Sequence, residues 1–450
     1  MPLGLLLIGL LACTDNSQDT AVTDTPLAEA PWPDWAFHHW VWEDESTTES
    51  LMEMVDGYAA NDIPVGAVII DSPWATGYST YEWDTDLFAD PQGLIDDLHA
   101  RDIRVMLWTV PMINVDVKDL YAEAAAAGYF LTTEAGGEPL VFSWWKGDGS
   151  LIDYFNPEAV EWWHELMAPV LEMGIDGWKC DGAEYSLLLT PGWSEHAGRT
   201  IDRLEYSRAY YDDFFSHTRD VLGEDRINTA RPIDNYGADL GGDSVSFASV
   251  ENNWAGWVGD QDSDFEGLRM ALRSMYWSAD YGYVSFGSDI GGYRTDDSEL
   301  GREKEPFLRW AQMGAFSPVM ENGGAGAHWP WLFDDETVSI YRDFVNIHYS
   351  ILEYLNTQGA LAIAEERSML TFLSDDTYQY LLGEDVFVAP ILEEDGLVTV
   401  TFPSEDEWVY VFDTSQVYAA SETVSLTIPL TEFSVFVRQG SEISEVLLAR

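Results

Sequence analysis

From residue 33 onward, short runs of consecutive apolar, β-branched and aromatic residues alternate with stretches in which apolar positions return every three or four residues. The first pattern suits strands buried on both faces, the second amphipathic helices. Eight runs read as strands: WAFHHWVW (35–42), VGAVIID (65–71), RVMLWTVP (104–111), DGWKCD (176–181), RINTARP (226–232), SVSFASVENN (244–253), YVSFGSDIGG (283–292) and MGAFSPVMENGG (313–324). Between them DPQGLIDDLHARD (90–102) and PEAVEWWHELMAPVLEMG (157–174) read as helices. Eight such units over about 320 residues predict an α/β fold, a (β/α)8 TIM barrel with insertions. Past residue 366 the period becomes two and the helices stop, as in LVTVTFP, EWVYVFD, TVSLTIPL and FSVFVRQG. That pattern predicts a small antiparallel β-sandwich. The expected division is a barrel over 34–365 and a sandwich over 366–450.

The N-terminus breaks the pattern. Leu3 to Ala12 is apolar, too short to cross a bilayer, and ends at Cys13 before a polar Thr/Asp-rich stretch. It resembles a bacterial lipoprotein signal, with LLAC as lipobox and Cys13 as the lipidated residue, although a basic leading region is missing. Residues 1–13 then read as signal and 14–33 as linker. The protein is expected to be exported and held at the cell envelope, touching membrane only through a lipid on Cys13. Cys180 is then left without a disulfide partner, and no Cys-based metal site can form.

Charge narrows the partners. Asp and Glu number 80 against 21 Lys and Arg, a formal net charge of −59 spread along the whole chain. Such a surface has nothing with which to displace counterions from nucleic-acid phosphates, and it suits a salty medium. DQDSD (260–264) and LEEDG (392–396) lack EF-hand spacing, so no metal ligand set stands out.

In a (β/α)8 barrel, chemistry gathers at the C-terminal ends of the strands. Asp71, Asp181 and Arg231 end or follow expected strands, Asp289 falls within one, and Asp260 and His328 come soon after two others. One acid at a strand end is ordinary turn or cap chemistry; six polar positions on one rim point to a site. Within GIDGWKCDGAEY (174–185), Lys179 and Asp181 alternate onto one pleat face. The ammonium can pair with Asp181 and donate to a ligand hydroxyl, or the two form a structural ion pair. NNWAGWVGDQDSDFEGL (252–268) sets Asp260 among tryptophans and glycines, apolar surroundings that suit an acid keeping its proton for delivery. Trp40, Trp42, Trp74, Trp108, Trp144, Trp145, Trp254 and Trp257 lie near expected strand ends or loops. Flat apolar faces beside paired acids suggest a carbohydrate ligand.

These segments carry a family resemblance. GIDGWKCDGAE resembles the nucleophile motif of glycoside hydrolase family 31, WVGD (257–260) its acid/base motif, and FGSDIGGY (286–293) and RWAQMGAFSPVME (309–321) its next two segments. LLGEDVFVAPIL (381–392) and IPLTEFSVFVRQGSEI (428–443) are similar to its β-sandwich, and the order is the family's over roughly 33–443. The resemblance implies a retaining, exo-acting α-glycosidase acting on an oligosaccharide or glycoside, with Asp181 as nucleophile, Asp260 as acid/base and no cofactor. It also implies that Asp71, Arg231, Asp289 and His328 bind the sugar to be cleaved, with Trp108 and Trp145 walling it; Lys179 and Trp257 belong to the same expected site. The large N-terminal β-sandwich of most members is not seen, and His328 follows an inserted-looking NGGAGA. WWKGDGSLIDYFNPEA (144–159) and the K-x-D of KCDGAE resemble the branch containing the myogenesis-regulating glycosidase, associated with α-galactosidase activity. An α-galactoside is therefore expected ahead of an α-glucoside or α-xyloside, and an anionic sugar is disfavoured by the scarcity of cations near the rim. Rival readings are an α-glycan lyase and a catalytically silent carbohydrate-binding lipoprotein.

Overall fold

The computed structural model describes residues 30–182, 190–233, 246–326 and 328–449. Cys13, the lipobox and most of the expected linker lie outside the described residues. The end of that linker is corrected: Trp32 is buried and donates its indole N–H to Asn356 Oδ1 at 3.0 Å, so the folded body includes residues before Pro33.

Eight parallel strands form the barrel: β1 (His39–Glu43), β2 (Ala67–Ile70), β3 (Arg104–Thr109), β4 (Gly177–Cys180), β5 (Ile227–Thr229), β6 (Gly256–Trp257), β7 (Phe286–Gly287) and β8 (Met320–Asn322). Six pair continuously in the order β5-β4-β3-β2-β1-β8, while β6 and β7 pair with each other. Two backbone bonds close the ring: Trp257 N–H donates to Ala230 O at 3.2 Å and Ile290 N–H to Glu321 O at 2.9 Å. The strands are short apolar runs because both faces are covered, and every residue of β2 and β4 is buried. Gly177 is needed where β4 meets β5, since a Cβ there would stand 1.7 Å from Ile227 O. The helix Pro157–Glu172 starts where Asn156 Oδ1 accepts from Glu158 N–H and Pro157 opens the first turn.

The sixth and eighth strands differ from expectation. Residues 244 and 245 lie outside the described residues, and the rest of that run turns, because Asp212 collects Ser249 Oγ and Asn252 Nδ2, each at 2.8 Å. The strand forms later, at Gly256–Trp257. Met313 and Gly314 finish the helix Lys304–Gly314, which leaves only Met320–Asn322 as strand. A hairpin the apolar pattern did not predict, Val141–Trp144 with Gly147–Leu151, follows β3 and carries Trp144, Trp145 and Lys146 to the barrel mouth.

Beyond the helix Leu352–Ala364 the chain forms a six-stranded antiparallel sheet and a separate antiparallel pair, Leu397–Thr401 with Thr423–Thr427. Leu397–Thr401 alternates exposed and buried residues, the period-two signal of its sequence. The two parts are stitched through the helix that leads to β8. The buried Arg309 guanidinium donates to Ile428 O at 2.8 Å, Glu432 O at 3.0 Å and Pro429 O at 3.3 Å, and Gln312 Nε2 donates to Leu430 O at 2.6 Å. Among the described residues no helix is long and apolar enough to cross a membrane.

Candidate active site

The C-terminal ends of the barrel strands surround a cavity of about 700 Å3. Asp181 leaves β4 with its backbone N–H donating to Thr109 O at 2.9 Å. Its carboxylate is oriented from two sides: Oδ1 accepts from Gly182 N–H at 2.8 Å, and Oδ2 from the Trp108 indole at 3.2 Å. Gly182 allows this turn, with φ at 76° and a Cβ position only 2.5 Å from Val110 Cγ1.

Arg231, just past β5, joins the two expected catalytic acids. One of its terminal nitrogens donates to Asp181 Oδ1 at 3.3 Å and to Asp260 Oδ1 at 3.0 Å, while the guanidinium lies 4.0 Å from the Trp257 ring centre. The two contacts laid end to end, 3.3 and 3.0 Å, set an upper bound of about 6.3 Å between those oxygens. Retaining glycosidases hold their carboxyl groups about 5–5.5 Å apart and inverting ones about 6.5–9.5 Å. The Asp260 side chain is 27% exposed and meets the Arg231 guanidinium, a more polar setting than the apolar surroundings expected.

Lys179 corrects another expectation. Its ammonium lies 3.5 Å from Glu321 Oε1, 3.6 Å from Asp71 Oδ2 and 3.4 Å from the Trp42 ring centre, and its ion pairs are with those two acids rather than with Asp181. Two residues of strand span about 6.6 Å of rise, so Asp181 stands above the ammonium while Glu321 and Asp71 reach it from other strands. Burial pushes Asp71 up to about 7 despite the opposing lysine. Burial likewise raises Glu321, and holds Asp289 well above the ordinary carboxylate range. Neither oxygen of Asp289 meets a hydrogen-bond donor among the described residues, and its side chain lines the cavity. It is an acceptor that a donor entering the cavity would satisfy.

Asp71, Trp108, Lys179, Asp181, Trp257, Asp260 and Asp289 all line the cavity, and Arg231 bridges its two acids. Trp145 lines it from the rim with 52% exposure. His328 is not brought there. Its Nε2 meets Arg302 Nη1 and Gly292 O, and burial followed by the Arg302 charge holds it well below the usual imidazole value. The buried Arg302 needs acceptors, and it takes the imidazole along with the Gly291 and Gly292 carbonyls. The structure also adds residues. Asp44, half-buried and raised by burial, and Tyr293, whose hydroxyl donates to it at 3.4 Å, both line the cavity, as does Lys146; Glu321 lies beneath, on Lys179. An acid inside the apolar VMEN and an Asp at the end of β1 were the signals that could have found Glu321 and Asp44.

Comparison with known proteins places this geometry. Residues 29–358 match the glycosyl hydrolases family 31 TIM-barrel domain and residues 365–443 the glycosyl hydrolase family 31 C-terminal domain. The chain is 28% identical over 442 residues to alpha-xylosidase XylQ of Lactiplantibacillus pentosus, covering 91% of this chain and 54% of that protein. It is 26% identical over 464 residues to the 1,3-alpha-isomaltosidase of Kribbella flavida (90% and 60%) and 26% identical over 443 residues to the sulfoquinovosidase of Escherichia coli (91% and 62%). The chain therefore spans a little over half the length of these relatives. Among solved structures, the Flavobacterium johnsoniae GH31 dextranase complexed with glucose shares the fold, with a TM-score of 0.81 at 20% identity over 92% of this chain and 53% of that one.

Proposed function

This chain belongs to glycoside hydrolase family 31, and on that premise we propose that it is a retaining, exo-acting α-glycosidase. The observation that carries the reading is the single Arg231 nitrogen in contact with both Asp181 and Asp260, which keeps the two bridged oxygens within about 6.3 Å, a bound compatible with the spacing double displacement needs. Asp181, fixed by the Trp108 indole and the Gly182 amide, attacks the anomeric carbon. The bond to the leaving oxygen breaks as Asp260 gives that oxygen a proton. Asp260 then takes a proton from water, the water oxygen bonds to the anomeric carbon, and the Asp181 ester is released. Asp71, Asp289 and Lys179 meet the sugar hydroxyls from below, with Trp108 and Trp257 as walls.

Two observations bear on the sugar. The resemblance of the Lys179–Asp181 K-x-D and of the Trp144–Asp148 segment to the branch associated with α-galactosidase activity supports an α-galactoside. The named activities of the relatives, an α-xylosidase first among them, support an α-xyloside or α-glucoside. A panel of aryl α-galactoside, α-glucoside and α-xyloside decides between them. The same panel run with Asp181→Asn tests the chemistry: a variant folded by circular dichroism that keeps more than about 5% of turnover would remove Asp181 from the nucleophile role. A lyase would instead leave an unsaturated anhydro sugar as product. The LLAC segment supports export and a lipid anchor on Cys13.

A further inference from the structure

Beside the catalytic cavity lies a second one of about 480 Å3, built from the loop after β2 and the segment after β3. Ser72, Trp108 and Lys146 line both cavities, so the two adjoin along that edge. Ser72 is 5% exposed, and its hydroxyl meets no hydrogen-bond partner among the described residues. A buried hydroxyl left this way costs free energy that a ligand can recover. Tyr78, packed edge-on against Trp108 and Trp144, gives the second cavity an aromatic wall, and Asp84 and Asp116 bring carboxylate acceptors. Aromatic surface, acceptors and the Lys146 ammonium together are the chemistry that recognises a neutral sugar.

Position in the ring says which sugar. In an eight-stranded barrel β2 stands opposite β6, the strand that leads to Asp260. The leaving group must sit beside the acid that protonates it, so a cavity on the β2 and β3 side lies past the sugar being cleaved, away from the leaving group. We propose that this second cavity binds a further neutral sugar unit attached to the non-reducing side of the cleaved residue, so that the protein releases a disaccharide. The proposal rests on the catalytic reading above.

The test uses 4-nitrophenyl α-glycosides of the accepted sugar, either bare or carrying one more α-1,4- or α-1,6-linked neutral hexose. The wild-type chain should release nitrophenol from a disaccharide glycoside with kcat/KM about tenfold or more above the bare one, leaving an intact disaccharide by mass spectrometry. Thr76→Trp fills the cavity from an exposed lining position without touching the acids. It should lose about tenfold on the disaccharide substrate and change the bare one by less than about twofold. Asp116→Trp, also an exposed lining position, should give the same split. A wild-type chain that cleaves the bare glycoside as well as the longer ones, or filled variants that lose equally on both, would overturn the subsite while leaving the catalytic reading standing. Failure to hydrolyse any α-glycoside would overturn both.

Discussion

Replacing Lys179 by methionine tests the electrostatics of the barrel floor. The unbranched side chain can remain on the Trp42 ring, so the change removes mainly the charge that faces Asp71 and Glu321. Deleting one partner of a buried ion pair costs about 3–5 kcal/mol. The cost should depend on pH with a definite sign. Asp71 sits at about 7 in the folded chain against an ordinary value of 3.8, burial raising it and Lys179 opposing. With the folded value raised, the stability this proton confers is fully present below the unfolded pKa and is lost as pH rises through about 7. Removing the ammonium raises Asp71 further, and each added unit deepens the loss by about 1.4 kcal/mol once the pH exceeds the new value. At pH 5.5 Asp71 holds its proton with or without the lysine, so the variant is spared that part. Urea unfolding followed by tryptophan fluorescence should therefore show Lys179→Met destabilised by about 3–5 kcal/mol at pH 8.5 and by at least about 1.4 kcal/mol less at pH 5.5. Equal losses at the two pH values, or a larger loss in acid, would mean that Asp71 does not feel the Lys179 charge.

Asp260→Ala should cripple substrates with poor leaving groups while sparing activated aryl glycosides, which need little protonation, and added azide should partly restore the latter; equal losses without rescue would take Asp260 out of the acid/base role. A net charge of −59 repels itself strongly at low ionic strength and is screened within about 8–10 Å at physiological salt, so melting temperature should climb from low to molar salt, and a flat or falling curve would contradict adaptation to salt. Cys13→Ser should release the chain from the membrane fraction with catalysis intact, and unchanged association would rule out the anchor.

What the sequence made legible follows from burial. The runs around β2, β3, β4 and β5 are visible because strands covered on both faces must be continuously apolar, so each polar residue at their ends, Asp71, Asp181 and Arg231, stands out as one the core cannot explain. The two-residue β6 falls below the length at which any period shows, and its place is fixed by backbone bonds to neighbours distant in sequence, whereas β7, equally short, lies inside the apolar run 283–292. The hairpin at 141–151 was hidden because its first strand is mostly uncovered: Val141 is exposed and Phe142 only half-buried. Lys179 lines the cavity, yet its partners are not legible in the sequence, because Glu321 lies 142 positions away and the pairing exists only once the barrel closes. His328 shows the converse, since a strand-end position says nothing about a competing guanidinium such as Arg302.

The Arg309 contacts make the barrel and the sandwich one mechanical object. A guanidinium sunk in the interior with three carbonyls of the second domain around it would be stranded if those carbonyls were cut away, and the helix that carries it leads to β8, whose Glu321 holds Lys179 at the floor of the cavity. The smaller domain, which supplies no residue to the catalytic cavity among those described, therefore braces the floor of the site from behind. This barrel is therefore not a free-standing cassette; it stands with its brace, and substitutions in the 428–432 loop are expected to be felt at a cavity they never touch.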